Sequence, residues 1–493
     1  MRYVPLINRN IVTSYVSQAL CLISAIAAVP LYLRYMGSES YGLVAISATA
    51  QIWFQLLDLG SVAAFSRETS RIAQNRTKEL EYCTLLNTLR ISFLGIALVT
   101  VLITCALAKY LASIWTTAVS LSVSELTLSI QLISVGVAIR WVTSLYRGMV
   151  VGAECIVWLS VAQAVFTSAR SLGVLPLLYY VDPKPSTFLG FQIAIAIIEL
   201  YVFKCKAKWI TPQTSVEAPI FSLSAIRSLI GFSLGLSFSA VVSVALMNID
   251  KVLLSTLLPL ATFGYFSASV TLASGVIALS APIVNILLPA LTRLESEGNL
   301  AELLKLYRRM TRFTCATCVS LVAVLWAFAE LILQLWSNDT ELAVQGAKIL
   351  KLYVVGNGLM VLAAFPYYLQ YAKGSMRMHL SGNLIFALAL IPLLVWATTT
   401  YGAEGAGWVW ALSNLAFFLL YTPIVHRRFL PGNHLKWIIK DIVAVSLPPL
   451  AVVHVAKLCI PDSIGVLGTA AIGLISGLVG FATAMFVAHA LAK

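Results

Sequence analysis

The chain has 493 residues, 60% of them hydrophobic and 11% charged, with a formal net charge of +13 and a mean hydropathy of +0.91. So few charges cannot cover a water-soluble surface, and the unbroken apolar runs exclude outer-membrane barrels, whose strands alternate apolar and polar residues. A spanning helix takes about 20 apolar residues, so the hydrophobic positions fill roughly fourteen helices of an all-α membrane protein and leave no room for a sizeable soluble domain.

In chain order the expected spans are 10–33, 42–64, 84–108, 125–147, 155–180, 187–204, 226–250, 264–288, 313–335, 345–370, 379–400, 405–425, 437–460 and 464–490. Arg2 and Arg9 ahead of an apolar run, with Ala25-Ile-Ala27, imitate a secretory signal, but so many later spans favour an uncleaved first helix. An even count puts both termini on one side. Alternate loops differ in basic residues, with 24 on one side, from Arg2 to Lys493, and six on the other. Positive charge marks the cytoplasmic side, so both termini are expected there. Orientation also accounts for the net charge, which therefore gives no evidence for nucleic acid. The loops are short, the opposite of what a membrane glycosyltransferase or ligase with a large external loop would need.

Two halves share a pattern. Tyr41-Gly42 opens the second span and Phe263-Gly264 the eighth, and an arginine follows each glycine at the same distance, Arg71 and Arg293. A parallel repeat of this kind predicts two six-helix lobes plus two C-terminal helices. The expected division is 1–208 for the N-lobe, 209–430 for the C-lobe and 431–493 for the last pair.

Ionisable groups at membrane depth are functional candidates, because insertion costs them about 2.5–3.5 kcal/mol at mid-helix. Arg170 lies near the middle of the fifth span, facing either an aqueous cavity or a partner acid. Asn248, Asp250 and Lys251 lie in the outer part of the seventh, where Lys251 either reaches a polar passage or snorkels. Asp58 is either a coupling carboxylate or a helix-end partner for Arg67 or Arg71. Arg140 and Glu199 are within reach of the cytoplasmic boundary and can snorkel there, and Glu330 lies near an outer helix end. Cys315-Ala-Thr-Cys318 is the single CxxC and sits in an apolar helix, which favours packing over a metal or redox role. Aromatic pairs such as Tyr179-Tyr180 and Tyr367-Tyr368 suit interfacial belts, although aromatic faces also stack on sugars. Gly473, Gly477 and Gly480 present a small-residue packing face. Pro30, Pro176, Pro282, Pro289, Pro366, Pro392, Pro448 and Pro449 are expected to bend their helices. No Walker A sequence, nucleotide fold or catalytic triad pattern stands in the chain. Neither enzyme activity nor a resident cofactor is expected, and uphill transport would draw on a proton or sodium gradient or be pulled by product removal.

Val29-Pro30-Leu31, Tyr35-Met-Gly37-Ser-Glu-Ser-Tyr41-Gly42 and Leu57-Asp58-Leu59-Gly60 resemble the opening of bacterial oligosaccharide flippases of the Wzx type. Asp250-Lys251-Val-Leu-Leu-Ser, Phe263-Gly264-Tyr265, Ala281-Pro282 and Leu288-Pro289-Ala-Leu-Thr-Arg293 are similar to that family's later pattern. The clan also contains lipid II flippases and multidrug extruders, which stand as alternatives. The resemblance implies an alternating-access carrier in the bacterial inner membrane. Its substrate would be an undecaprenyl-diphosphate-linked oligosaccharide of O-antigen, capsule or exopolysaccharide, moved to the periplasmic leaflet. It would work beside membrane lipids and, by the same implication, a polysaccharide polymerase and chain-length regulator. Arg170 and Lys251, with Arg140 and Asn248, become candidates for contacting diphosphate or sugar. Asp58, Asp250, Glu199, Arg67 and Arg293 become candidates for coupling or gating. Lipid II flippases carry an arginine in the first helix, where this chain offers Asn10 and Gln18.

Overall fold

The computed structural model describes residues 3–55, 60–74, 79–114, 120–211, 219–224, 227, 244–461 and 464–491, all of them helical or in connections. Eleven of the helices are long and apolar enough to cross a membrane. Two of these, Thr13–Phe54 and Leu380–Phe429, have 42 and 50 residues, about twice the length that a ~30 Å hydrocarbon core takes up. Each is a pair of spans merged across a glycine with non-helical dihedrals, Gly37 (φ 80°, ψ 170°) and Gly402 (φ 59°, ψ −139°). Counting both pairs, the described residues make thirteen crossings. Most of the expected seventh span lies outside them.

The chain forms two compact units, Met1–Gly264 and Tyr265–Lys493. The first contains α1 (Tyr3–Gln55), α2 (Ser61–Gln74), α3 (Glu79–Ile114), α4 (Val123–Gly152), α5 (Ile156–Leu172), α6 (Leu175–Tyr180) and α7 (Pro185–Ile210), then α8 (244–257) and the start of α9 (Leu260–Ala273). The α4 helix is central, packed on α3 and α7, while α5 lies along α1. Phe93 stacks on Trp141 at 4.4 Å and Phe65 on Tyr82 at 5.3 Å in its core. The segment expected as a basic loop after the second span folds instead as α2. Ala64, Phe65 and Ile72 are buried on one face, with Arg67 and Arg71 exposed on the other. A Cβ on Gly152 would fall 2.1 Å from the Ser66 carbonyl, so glycine is what lets α2 lie this close to α4.

The second unit continues with α10 (Gly275–Ser296), α11 (Leu300–Ala327), α12 (Ala329–Ser337), α13 (Thr340–Ala372), α14 (Met376–Ala416), α15 (Thr422–Phe429), α16 (His434–Lys436), α17 (Ala444–Leu458) and α18 (Val466–Ala490). Wide π turns occupy Phe417–Tyr421 and Trp437–Val443. The last two helices pack on each other and on α11. Gly473 and Gly477 face Phe328 and Val324, and Gly480 faces Pro449, so the small-residue face serves packing. Cys315 and Cys318 are buried free thiols. Pro30, Pro366 and Pro392 stand inside α1, α13 and α14. The backbone of α1 and α14 leaves helical dihedrals at Gly37 and Gly402, glycines adopting positive φ without a Cβ penalty.

The two glycines of the sequence repeat meet. A Cβ on Gly42 would fall 2.4 Å from the carbonyl oxygen of Leu260, and one on Gly264 would fall 2.4 Å from that of Ser38. Leu260 precedes Gly264 by the same four residues as Ser38 precedes Gly42, so the contact is reciprocal. Backbone cannot yield as a side chain can. Gly264→Val is therefore expected to cost about 1–3 kcal/mol of overpacking, read as a lower melting temperature of the purified protein. Gly95→Ala, whose Cβ meets nothing within 4 Å, should not lower it.

Candidate functional site: an arginine cluster in the N-terminal unit

Three helices of the first unit each carry two polar residues seven positions apart: Arg140 and Arg147 on α4, Gln163 and Arg170 on α5, Gln192 and Glu199 on α7. Seven residues are close to two turns, so each pair shares a helix face. Consecutive spans run in opposite directions, and the six residues therefore sort into two layers. Arg140, Arg170 and Gln192 form one. Arg147, Gln163 and Glu199 form the other, nearer the α4–α5 connection.

In the first layer Arg140 Nη2 donates to Gln192 Oε1 at 2.7 Å, and Gln192 Nε2 donates to the Arg170 carbonyl at 3.1 Å. Arg140 Nη1 donates to Gln51 Oε1 of α1. In the second, Arg147 Nη2 donates to Gln163 Oε1 at 2.5 Å. Arg170 joins the layers, its Nη1 forming an ion pair with Glu199 and its Nη2 lying 3.4 Å from Thr167 Oγ1. Arg170 keeps 19% of its side chain exposed, against 9% for Glu199. Among the described residues, three guanidinium groups share one carboxylate, which leaves two positive charges at neutral pH. The remaining partners are amides, which hold a guanidinium in place without cancelling its charge.

The position of α5 is set by α1. Ser14 Oγ lies 3.0 Å from Ser160 Oγ, Cys21 Sγ faces the Gln163 carbonyl at 3.8 Å, Ser24 Oγ lies 3.0 Å from Ser168 Oγ, and Tyr32 OH donates to the Ser171 carbonyl at 2.6 Å. These small polar contacts run the length of the pair. In hydrocarbon, such contacts replace the hydrophobic drive that would hold two helices together in water.

The other candidates lie apart from this cluster. Lys251 Nζ donates to Asn248 Oδ1 at 2.8 Å on its own helix, and Asn248 Nδ2 donates to the Val244 carbonyl at 2.9 Å. The buried Asp250 accepts the Lys251 amide at 2.8 Å. Lys251 and Asn248 thus cap each other rather than joining Arg170. Arg67 is exposed on α2. Arg293 is 71% exposed at the end of α10, with Glu297 one turn on at 3.7 Å. Asp58 lies outside the described residues. Arg140 is held by two glutamines, Gln51 and Gln192.

A second charged group, in the C-terminal unit, has no counterpart among the expected sites. Asp441, fully buried, accepts from Arg308 Nε at 2.6 Å and Arg308 Nη2 at 3.2 Å, with Arg312 Nε 3.5 Å away. Arg308 and Arg312 were expected in a cytoplasmic loop but stand in the first half of α11, spaced to reach one acid from one face. Beside them Tyr307 OH contacts His426 Nε2 at 2.8 Å, His426 Nδ1 contacts His434 Nδ1 at 3.0 Å, and Trp437 Nε1 donates to Thr311 Oγ1 at 3.0 Å. This network ties the C-terminal helix pair to α11.

A family model described as a polysaccharide biosynthesis protein matches residues 7–295, more than half of the chain and all of the arginine cluster. The chain belongs to the polysaccharide biosynthesis protein family. No curated protein matches this polysaccharide biosynthesis protein. Among solved structures, the lipid II flippase MurJ in an inward closed conformation superimposes with a TM-score of 0.73 at 14% identity, over 96% of this chain and 98% of that one. An inward-facing multidrug resistance transporter of the MATE family gives 0.64 at 14% identity, over 83% and 96%. The MATE multidrug transporter DinF-BH gives 0.57 at 14%, over 86% and 96%. At such identities the likeness shows the fold. The fold is the multi-helix membrane fold of those solved structures.

Proposed function

We propose that this polysaccharide biosynthesis protein is a flippase for an undecaprenyl-diphosphate-linked oligosaccharide repeat unit, of O-antigen, capsule or exopolysaccharide. It moves the unit from the cytoplasmic to the periplasmic leaflet of the bacterial inner membrane by alternating access. The observation that carries this reading is the excess of cationic groups in the first unit, where Arg140, Arg147 and Arg170 face a single carboxylate among the described residues. A sugar headgroup and its diphosphate cannot enter hydrocarbon unaided, because losing their hydration is prohibitive. Guanidinium forks replace that water for phosphate oxygens with charge-assisted bonds. The same sign of charge disfavours a drug extruder for organic cations, which calls for an acidic, aromatic pocket. Glu199 is the coupling residue in this reading. It balances Arg170 in the empty carrier and gives it up when phosphate occupies Arg170.

The test is deletion in a strain without a substitute transporter. Surface polysaccharide should disappear and undecaprenyl-linked repeat units should accumulate on the cytoplasmic face, as read by enzymatic accessibility in oriented vesicles. Normal surface glycan in that strain would remove the assignment.

A further inference from the structure

We propose that Arg147, held by Gln163, is a first binding station for the diphosphate headgroup, distinct from the deeper station formed by Arg140 and Arg170. This rests on the flippase reading and adds a sequence of events to it. Arg147 and Arg140 are seven residues apart on one face of α4, about 10 Å along the axis, far more than the single bridging oxygen between two phosphates spans. Their partners also separate them. Arg147 Nη2 is directed to Gln163 in its own layer, whereas Arg140 is held between Gln51 and Gln192 in the other. In the two-station reading a headgroup held between Arg140 and Arg170 has left Arg147, and the two positions are occupied in turn.

Position gives the order. Arg147 is within five residues of the end of α4, on the side where α4 turns into α5, and its partner Gln163 is itself exposed. Arg140 is farther from that end and closed in by amides from two other helices. Glu199 belongs to the Arg147 layer and is ion-paired with Arg170. An anion leaving Arg147 thus meets a carboxylate that must give up its hold on Arg170 before the deeper station can accept the headgroup. Arg147 attracts, and the Arg140–Arg170 pair retains.

Capture and retention are separable by kinetics, because a charge at the mouth of a site governs association while close charged contacts govern dissociation. Full-length protein in nanodiscs would be immobilised, and the binding of farnesyl diphosphate, a soluble prenyl diphosphate, followed by biolayer interferometry at low salt. Arg147→Ala is expected to lower the association rate about tenfold with dissociation unchanged within about twofold, and Arg147→Lys to keep the fast association. Arg170→Ala should instead speed dissociation. An Arg147→Ala protein that associates like the wild type, or one that changes only in dissociation, overturns the station while leaving the flippase reading intact. Wild-type protein that binds no farnesyl diphosphate removes both. Inorganic pyrophosphate separates the lipid headgroup from a free anion. Association through Arg147 equal to that of farnesyl diphosphate would assign the station to the free ion and overturn its role in lipid capture.

Discussion

Arg170→Ala should eliminate surface polysaccharide in a complementation assay while the protein remains at normal abundance. Arg170 joins both layers of the cluster, through Glu199 on one side and the amide of Gln192 on the other. Losing one charge-assisted contact to phosphate costs about 1.5–3 kcal/mol, or roughly ten- to more than a hundredfold in affinity. Arg170→Lys preserves the charge but not the planar fork and should retain part of the activity. Quantitative immunoblotting beside the glycan assay decides between roles. If Arg170→Ala protein is scarce but transports normally per molecule, the Arg170–Glu199 pair is a structural brace and the anion site must lie elsewhere.

Asp441→Ala should have the opposite signature, loss of the protein itself. Removing the carboxylate leaves the buried Arg312 and the partly exposed Arg308 without the acid they share. Breaking a buried ion pair from one side costs about 3–5 kcal/mol, a large part of the stability of most folded proteins. Arg312 is already poorly satisfied, since its Nη1 is buried without a hydrogen-bond partner among the described residues. The expected readout is collapse of the monodisperse peak in fluorescence-detected size-exclusion chromatography. Asp441→Leu combined with Arg308→Met and Arg312→Leu should recover that peak, because apolar replacement of an entire buried charge group is often neutral or stabilising. Failure of the triple variant to recover would show that the group does more than fasten the C-terminal helices.

Which residues lie at membrane depth is legible in the sequence; which of them meet is not. Arg170 and Glu199 are both conspicuous as charges inside apolar runs. Their pairing depends on the rotation of α5 against α7, set by packing across several helices. Arg147 is easily assigned to the cytoplasmic boundary by its closeness to a helix end. The signal that places it with the cluster is the seven-residue spacing shared by three helices, and it shows only when Gln163 and Gln192 are read together with the charges. Lys251 misleads for the reverse reason. A lysine one turn from an asparagine can satisfy itself locally, and hydropathy does not distinguish that from reaching across a cavity. Asp441 is hidden because Lys440 beside it makes the segment look like an ordinary basic boundary, whereas the π turn at Trp437–Val443 accompanies its inward direction. The two glycines that the repeat singles out, Gly42 and Gly264, lie against the carbonyls of Leu260 and Ser38.

The choice of amides rather than acids around the arginines has an electrical consequence. A cluster with two uncancelled positive charges is pulled toward the negative interior of an energised cell, by about 2.3 kcal/mol for each elementary charge carried across 100 mV. When a headgroup with a charge on each phosphate fills the cluster, that pull largely vanishes and the loaded carrier moves indifferent to voltage. The empty one does not. Resting potential would therefore drive the unloaded protein back to where the next lipid waits, making the return stroke, rather than the cargo's passage, the electrogenic half of the cycle.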